Sequence, residues 1–332
     1  MNIKDIARLS GVSITTVSFI LNGKHHKVSE KTKNKVLKVI KECGYEARGA
    51  ARDLKRKNSR TIGVFFDFIS GPYISLISGM QQVIRSKSYD FFIADNYNSS
   101  SRGALSRFLL EKRVDGAAIF SIDTEDEKID ELSALNMPIV MLDREVYRKN
   151  ICSILIDNKP GMIEAIEFLK ENGLRKVSFL SGKKKHYDNI ERLSAFRYSI
   201  NKYDMIFNEK WLFEGNFHEE SGYSAALKLF EMKDRPDAVI CSNDQMAVGL
   251  MQWLKDSGLK IPEDISIIGF DDIPFAKYTS PRLTTVKNQS YSMGKLVADT
   301  IFRGIDGENI EGIIKLPSRL IIRESARFQK KC

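Results

Sequence analysis

The stretch IKDIARLSGVSITTVSFILNG, residues 3–23, reads as two short helices around a tight turn. Asn2 can cap the first helix with Asp5 in a short capping-box arrangement, and Ile3, Ile6, Ala7 and Leu9 supply an apolar stripe. Ser10-Gly11 stops that helix, Val12 can plug the space between helices, and Ser13 is a natural N-cap for a second helix running to Leu21. Downstream, Ser29 announces a third helix that ends at Gly44, where a left-handed cap is available; Val36, Leu37 and Ile40 give it an apolar face that can cover the first two.

The charge of the chain is concentrated around this unit. Residues 1–60 carry +10, whereas the remaining 272 of the 332 residues carry −1. A small basic head on a near-neutral body is the distribution expected when only the head meets a polyanion, with nucleic acid ahead of a membrane surface. In a helix-turn-helix the second helix enters the major groove, where its exposed side chains face base edges and its hydroxyls and amides hold phosphates. Ile14, Thr15, Thr16, Ser18, Phe19 and Asn22 are the candidates here. Phe19 can equally pack within the head or meet a thymine methyl.

From Thr61 the texture changes. TIGVFF, YDFFIAD, DGAAIF, PIVMLD, KVSFLS, DAVICS and ISIIGF read as buried strands, and ISLISGMQQVIRSK, KPGMIEAIEFLKENG, SGYSAALKLFEM and QMAVGLMQWLKDSG as helices between them. Alternating strand and helix predicts doubly wound parallel sheets, and a break near Asp157-Asn158 divides the strands into two lobes. A ligand would then sit in the cleft where the strands' carboxyl ends face each other.

At this level of detail the sequence resembles a known family. IKDIARLSGVSITTVSFILNG followed by VSEKTKNKVLKVIKECGY is similar to the DNA-binding head of the lactose/galactose repressor (LacI/GalR) family of bacterial transcription factors. ARDLKRKNSRTIGV resembles that family's hinge, and SNDQMAVG, IGFDDIPFAKYTSPRLTTV and LIIRES resemble its periplasmic-binding-protein-like effector domain. The resemblance implies a helix-turn-helix domain over 1–45, a hinge helix and linker over 46–60, and an effector-binding and dimerisation domain over 61–332. Lobe one would comprise about 61–157 and 288–318, and lobe two about 158–287 and 319–332, with three crossings between them. Arg52 and Leu54 match the family's hinge core, which implies that Leu54 is an apolar wedge between minor-groove base steps. Two departures stand out: Ala47 and Arg48 occupy positions where the family usually has Pro and Asn, and Phe19 stands where it commonly has a guanine-reading Arg.

The same resemblance places Asp143, Arg192, Asn243 and Asp271 as polar effector contacts, with Tyr73 and Phe217 as the apolar wall. These types suit a polyol, which needs acceptors and donors for vicinal hydroxyls and a flat surface for its C–H face. Lys183, Lys184 and Lys185, after the strand KVSFLS, would serve a sugar phosphate if their loop reached the cleft, and read otherwise as a solvated loop.

An enzyme is the first rival reading. No P-loop, dinucleotide-binding glycine motif, nucleophile elbow or zinc-protease motif is present, and none of the four histidines lies in a catalytic frame. No catalytic residue, metal or cofactor is therefore expected. A secreted sugar-binding protein is the second rival, opposed by the charged N-terminus and the DNA-reading head. The four cysteines are scattered, with no C-x-x-C pair, and no apolar run is long enough for a membrane helix. The expectation is a cytoplasmic homodimer that binds near-palindromic operator DNA, most simply a carbohydrate-operon repressor released by a sugar or sugar phosphate. The family also includes regulators corepressed by a small molecule or a phosphorylated carrier protein, and the residues leave that open. With no leucine heptad tail before Cys332, a tetramer is not expected.

Overall fold

The computed structural model describes residues 1–21, 24–44, 59–66, 71–95, 108–109, 111, 113–120 and 126–328. The chain divides into two compact units, Met1–Ser59 and Arg60–Cys332.

In the first unit, α1 (Ile3–Ser10), α2 (Ile14–Leu21) and α3 (Glu30–Glu42) surround a small core of Ile6, Ala7, Val17, Ile20 and Val36. Asn2 and Asp5 form the reciprocal capping box, and Gly11 adopts φ 62° to end α1, a conformation glycine reaches without a Cβ penalty. Ser13 Oγ accepts from the Thr16 amide at 3.1 Å, and Ser29 Oγ from the Thr32 amide at 3.3 Å, which starts α2 and α3. Two expected core residues are not in the core: Leu9 and Leu37 are 50% and 41% exposed. In helices of two to four turns, one side chain per turn suffices to fill a core of this size, and the flanking apolar positions stay in solvent.

The second unit holds two six-stranded sheets. Lobe one has strand order β11-β5-β4-β3-β1-β2, built from β1 (Thr61–Phe66), β2 (Asp90–Asp95), β3 (Gly116–Phe120), β4 (Ile139–Leu142), β5 (Ile151–Asp157) and β11 (Gly312–Pro317). Lobe two has order β12-β10-β9-β8-β6-β7, from β6 (Val177–Ser181), β7 (Leu212–Glu214), β8 (Ala238–Cys241), β9 (Ser266–Asp271), β10 (Thr284–Lys287) and β12 (Arg319–Ile321). All pairings are parallel except β10 with the edge strand β12, so both sheets are parallel-dominated, as the alternation of strand and helix predicts. The exception has a local reason: β12 follows the crossing from lobe one directly and can reach the sheet edge only in the reverse direction.

Helices α4 (Gly71–Ser86), α5 (Asp126–Ser133) and α10 (Ser290–Ile305) accompany the first sheet, and α6 (Asn158–Glu171), α7 (Tyr187–Lys202), α8 (Glu219–Phe230) and α9 (Asp244–Asp256) the second. Buried apolar side chains from helices and strands pack on both sheets, the arrangement that doubly wound α/β folds require. Helices α4 and α10 lie close enough that a Cβ on Gly79 would stand 2.1 Å from the Tyr291 carbonyl oxygen, and one on Gly294 2.0 Å from that of Leu76. The chain passes between the sheets after Asp157, between Lys287 and Ser290, and at Ser318. Ser318 ties two of these passages together, donating to the Asp157 carbonyl at 2.7 Å and accepting from the Gly161 amide at 3.2 Å.

Candidate functional site

In the head, α2 presents Ile14 and Thr15 to solvent, with Thr16, Ser18 and Phe19 partly covered. The hydroxyl of Thr16 lies 2.9 Å from that of Ser13, so it helps to fix the start of the helix. Phe19 is half-buried, and the Lys27 ammonium lies 5.2 Å from its ring centroid, a cation–π contact inside the head. Asn22, Ala47, Arg48, Arg52 and Leu54 lie outside the described residues.

In the body, β4, β8 and β9 end at a common cleft. Asp143 follows β4 in lobe one, while Asn243 follows β8 and Asp271 closes β9 in lobe two. All six residues expected from the sequence, Tyr73, Asp143, Arg192, Phe217, Asn243 and Asp271, line one cavity. It is a narrow space, with about 50 Å³ open to the centre of a water-sized sphere. Three of its lining residues, Asp143, Phe217 and Asp271, have φ of 58°, 72° and 108°. Non-glycine residues rarely adopt this region, and such backbone strain concentrates at binding sites.

Arg192, on α7, organises the polar floor. Its Nε donates to Asn158 Oδ1 at 3.0 Å, its Nη1 to the Ser242 carbonyl at 2.5 Å, and its Nη2 to Asp188 Oδ2 and Asp271 Oδ1 at 3.1 and 3.0 Å. The guanidinium stacks on Phe270, 3.9 Å from the ring centroid. Of its five N–H groups only one, on Nη1, has no acceptor among the described residues. Asn158 Nδ2 bonds Asp188 Oδ1 at 3.2 Å and Asn288 Nδ2 bonds Asp271 Oδ1 at 3.1 Å, so side chains at two of the inter-lobe passages belong to the same network.

Tyr73 donates to Asp143 Oδ2 at 2.8 Å on the facing wall, and its ring meets Phe120 edge-on, with 5.0 Å between centroids. Desolvation, reinforced by the charge on Asp188, pushes the Asp143 carboxyl up to about 7. Desolvation also raises Asp271, to about 6, against the pull of Arg192. Asn243 is committed to the scaffold: Oδ1 caps α9 by accepting from the Met246 amide at 3.0 Å, and Nδ2 donates to the Phe217 carbonyl at 2.8 Å. That second bond holds Phe217 in its left-handed conformation against the cavity.

Asp188, Asn158 and Asn288 were not singled out as site residues from the sequence, whereas His186, which closes the run Gly182-Lys183-Lys184-Lys185-His186 noted after KVSFLS, lines the cavity. Asp188 carries the one available signal, a carboxylate four residues before Arg192 on a helix. Lys183, Lys184 and Lys185 are exposed and do not line the cavity; Lys184 pairs with Glu214 at 2.8 Å. Asp272 is held by Arg323 of LIIRES, and Asp244 accepts from Thr285 Oγ1 at 2.6 Å and from the Ile273 amide at 2.8 Å, so both have scaffold roles. Among the described residues, no group of three His, Cys, Asp or Glu side chains is arranged to hold a metal ion, and no helix is long and apolar enough to cross a membrane.

Residues 2–47 match the family described as bacterial regulatory proteins, lacI family, and residues 166–326 match the periplasmic binding protein-like domain. The HTH-type transcriptional repressor PurR of Vibrio vulnificus (strain CMCP6) is 34% identical over 332 residues, covering 98% of each chain. The chain belongs to the lacI family. Among solved structures, this lacI-family chain is similar to the lac repressor dimer bound to operator and the anti-inducer ONPF, with TM-score 0.83, 25% identity and 98% of each chain covered. It is also similar to the transcriptional regulator CelR in complex with cellobiose, with TM-score 0.74, 26% identity, 98% of this chain and 100% of that one. As a lacI-family member the protein is a transcriptional repressor with a helix-turn-helix DNA-binding domain and an effector-binding domain.

Proposed function

We propose that the protein is a cytoplasmic, homodimeric, non-enzymatic repressor of a carbohydrate-utilisation operon, released from a near-palindromic operator by an uncharged sugar-like effector. One observation carries the ligand class. Asp143 Oδ1 in lobe one and Asp271 Oδ2 in lobe two accept no hydrogen bond among the described residues, although both residues line the same cavity beside the rings of Tyr73, Phe120 and Phe217. Two open carboxylate acceptors on facing lobes suit vicinal hydroxyls, and the rings suit the C–H face of a sugar. A phosphate ester is disfavoured, because Arg192 has one N–H to spare and the lysine run lies outside the cavity. The cellobiose complex of a structural neighbour supports a saccharide in this fold.

A ligand that bridges Asp143 and Asp271 favours the closed cleft, and rotation of one lobe against the other would alter the spacing of paired heads. The hinge residues Arg52 and Leu54 would convert that spacing into loss of operator affinity, with Leu54 as the minor-groove wedge. A thermal-shift screen of sugars, sugar phosphates and nucleobases tests the ligand class, because a ligand selective for the folded state raises the melting temperature. A neutral saccharide should give the largest shift and release operator DNA; a larger shift from a phosphate ester or a nucleobase would overturn this reading. Leu54→Ala should weaken operator binding and reduce DNA bending while leaving the thermal shift intact.

A further inference from the structure

Beside the cavity, at the edge of the cleft, a second set of residues joins the lobes. The Tyr187 hydroxyl, in the first turn of α7 in lobe two, donates to Glu145 Oε1 at 2.9 Å, and Glu145 belongs to the loop after β4 in lobe one. Lys315, on β11 of lobe one, lies 2.7 Å from the same oxygen. Lys315 and Tyr187 together hold the Glu145 carboxyl below its ordinary range, so it stays ionised and a strong acceptor at neutral pH.

Placement gives this contact its meaning. Glu145 is two residues from Asp143, and Tyr187 adjoins Asp188 and is five residues from Arg192. The two segments that line the cavity are therefore the two segments joined at its rim, and they can separate only if this hydrogen bond breaks. Lys315 adds a link to the backbone, because β11 runs within three residues of the passage at Ser318. Tyr187 and Glu145 do not line the cavity, so no ligand contact is needed for them to act.

We propose that Tyr187, Glu145 and Lys315 form a latch that raises the population of the closed form in an otherwise mostly open ligand-free cleft, and thereby sets effector affinity as positioning residues. A two-state cleft with a pre-populated closed form binds a closed-state ligand more tightly in proportion to that population. One net hydrogen bond corresponds to a shift of roughly three- to tenfold in the open-to-closed ratio.

The test uses ligand-free full-length protein and does not depend on the effector class proposed above. Spin labels replace the exposed Glu127 of lobe one and Glu220 of lobe two, Cys43 and Cys332 are changed to serine, and labelled chains are diluted into unlabelled protein so that distances arise within one protomer. Tyr187→Phe keeps the ring and should move population to longer distances by about three- to tenfold, with an unchanged melting temperature. Glu145→Ala removes the acceptor from the other lobe and should give the same opening. Glu145→Gln retains an oxygen that accepts from Tyr187 and should remain nearer the parent. Distance distributions that coincide for Tyr187→Phe and its parent would overturn the latch. So would opening by Glu145→Gln as large as that by Glu145→Ala, because the hydrogen bond would then not be the element that matters.

Discussion

Tyr73 donates its hydroxyl to Asp143 at 2.8 Å, and this bond fails to restore ordinary acidity to the carboxyl it touches. Desolvation in the cleft and the nearby Asp188 charge outweigh it, which leaves Asp143 at about 7 instead of 3.8. Between these values the unfolded chain has released a proton that the folded chain keeps. Stability therefore falls as pH rises from about 4 to about 7, with Asp271 contributing over the lower part of that window, up to about 6. Urea unfolding should show a midpoint that declines from pH 5 to pH 8, and Asp143→Asn should flatten the slope. An equally steep decline in that variant would remove Asp143 as its source.

Ligand binding should show the complementary dependence. A hydroxyl that donates to Asp143 favours the ionised carboxylate, so effector affinity should rise through pH 7 and binding should release protons. Calorimetry in buffers of different ionisation enthalpy reads this directly; proton uptake on binding would contradict it.

Arg192 is expected to matter for folding as well as for ligand. Its removal leaves Asp271 buried and Asp188 partly buried without their partner, and breaking a buried pair such as Arg192 with Asp271 costs about 3 to 5 kcal/mol. Arg192→Ala should lower the urea midpoint accordingly and abolish effector response. Arg192→Lys should rescue little, since one ammonium cannot reach the four acceptors that the guanidinium spans. Wild-type stability in Arg192→Ala would show that the network has little energetic weight.

Gly182 gives a way to block the cavity without touching a polar group. A Cβ there would lie 2.1 Å from the tip of the Phe217 ring, so Gly182→Ala must swing that ring away. Operator binding should persist and effector-driven release should be lost, as a filter-binding titration would show. Normal release would mean that the Phe217 ring has room to move without closing the site.

DNA affinity should depend steeply on salt, by about −0.9 in log–log slope per neutralised phosphate, with the net positive charge concentrated in residues 1–60. A fragment beginning at Arg60 should retain no duplex affinity in a gel-shift titration. Comparable binding by that fragment would overturn the division of labour.

Features governed by neighbours in sequence were legible before any coordinates. Asn2, Asp5, Gly11 and Ser29 act within four residues of their partners, and the apolar runs of β1, β2, β3, β6 and β9 announce themselves, whereas the seven-residue β5 and six-residue β11 are not among the strands read from the sequence. The three-residue strands β7 and β12 are too brief to show periodicity and exist because a sheet is there to receive them; β10, four residues long like β4 and β8, reads TTVK and lacks their continuous apolar run. The polar floor was legible only in part. Arg192 and Asp271 stood out by resemblance, whereas Asn158 and Asn288 owe their place to partners 30 and 34 residues distant in one case and 17 in the other. Leu9 and Leu37 were misread because an amphipathic stripe marks a face without saying how much of it a small core can cover.

Ser318 stands between β11, the edge strand of one sheet, and β12, the edge strand of the other. During synthesis, therefore, both lobes wait for the same few residues, which follow every other strand and helix named above. Until Ile321 has left the ribosome, β5 and β10 each present an unpaired edge, and a nascent chain stalled before Leu316 would expose two templates for misassembly at once. Completion of the two lobes is thus a single late event, and a nonsense codon in this short stretch would damage both halves of the molecule together.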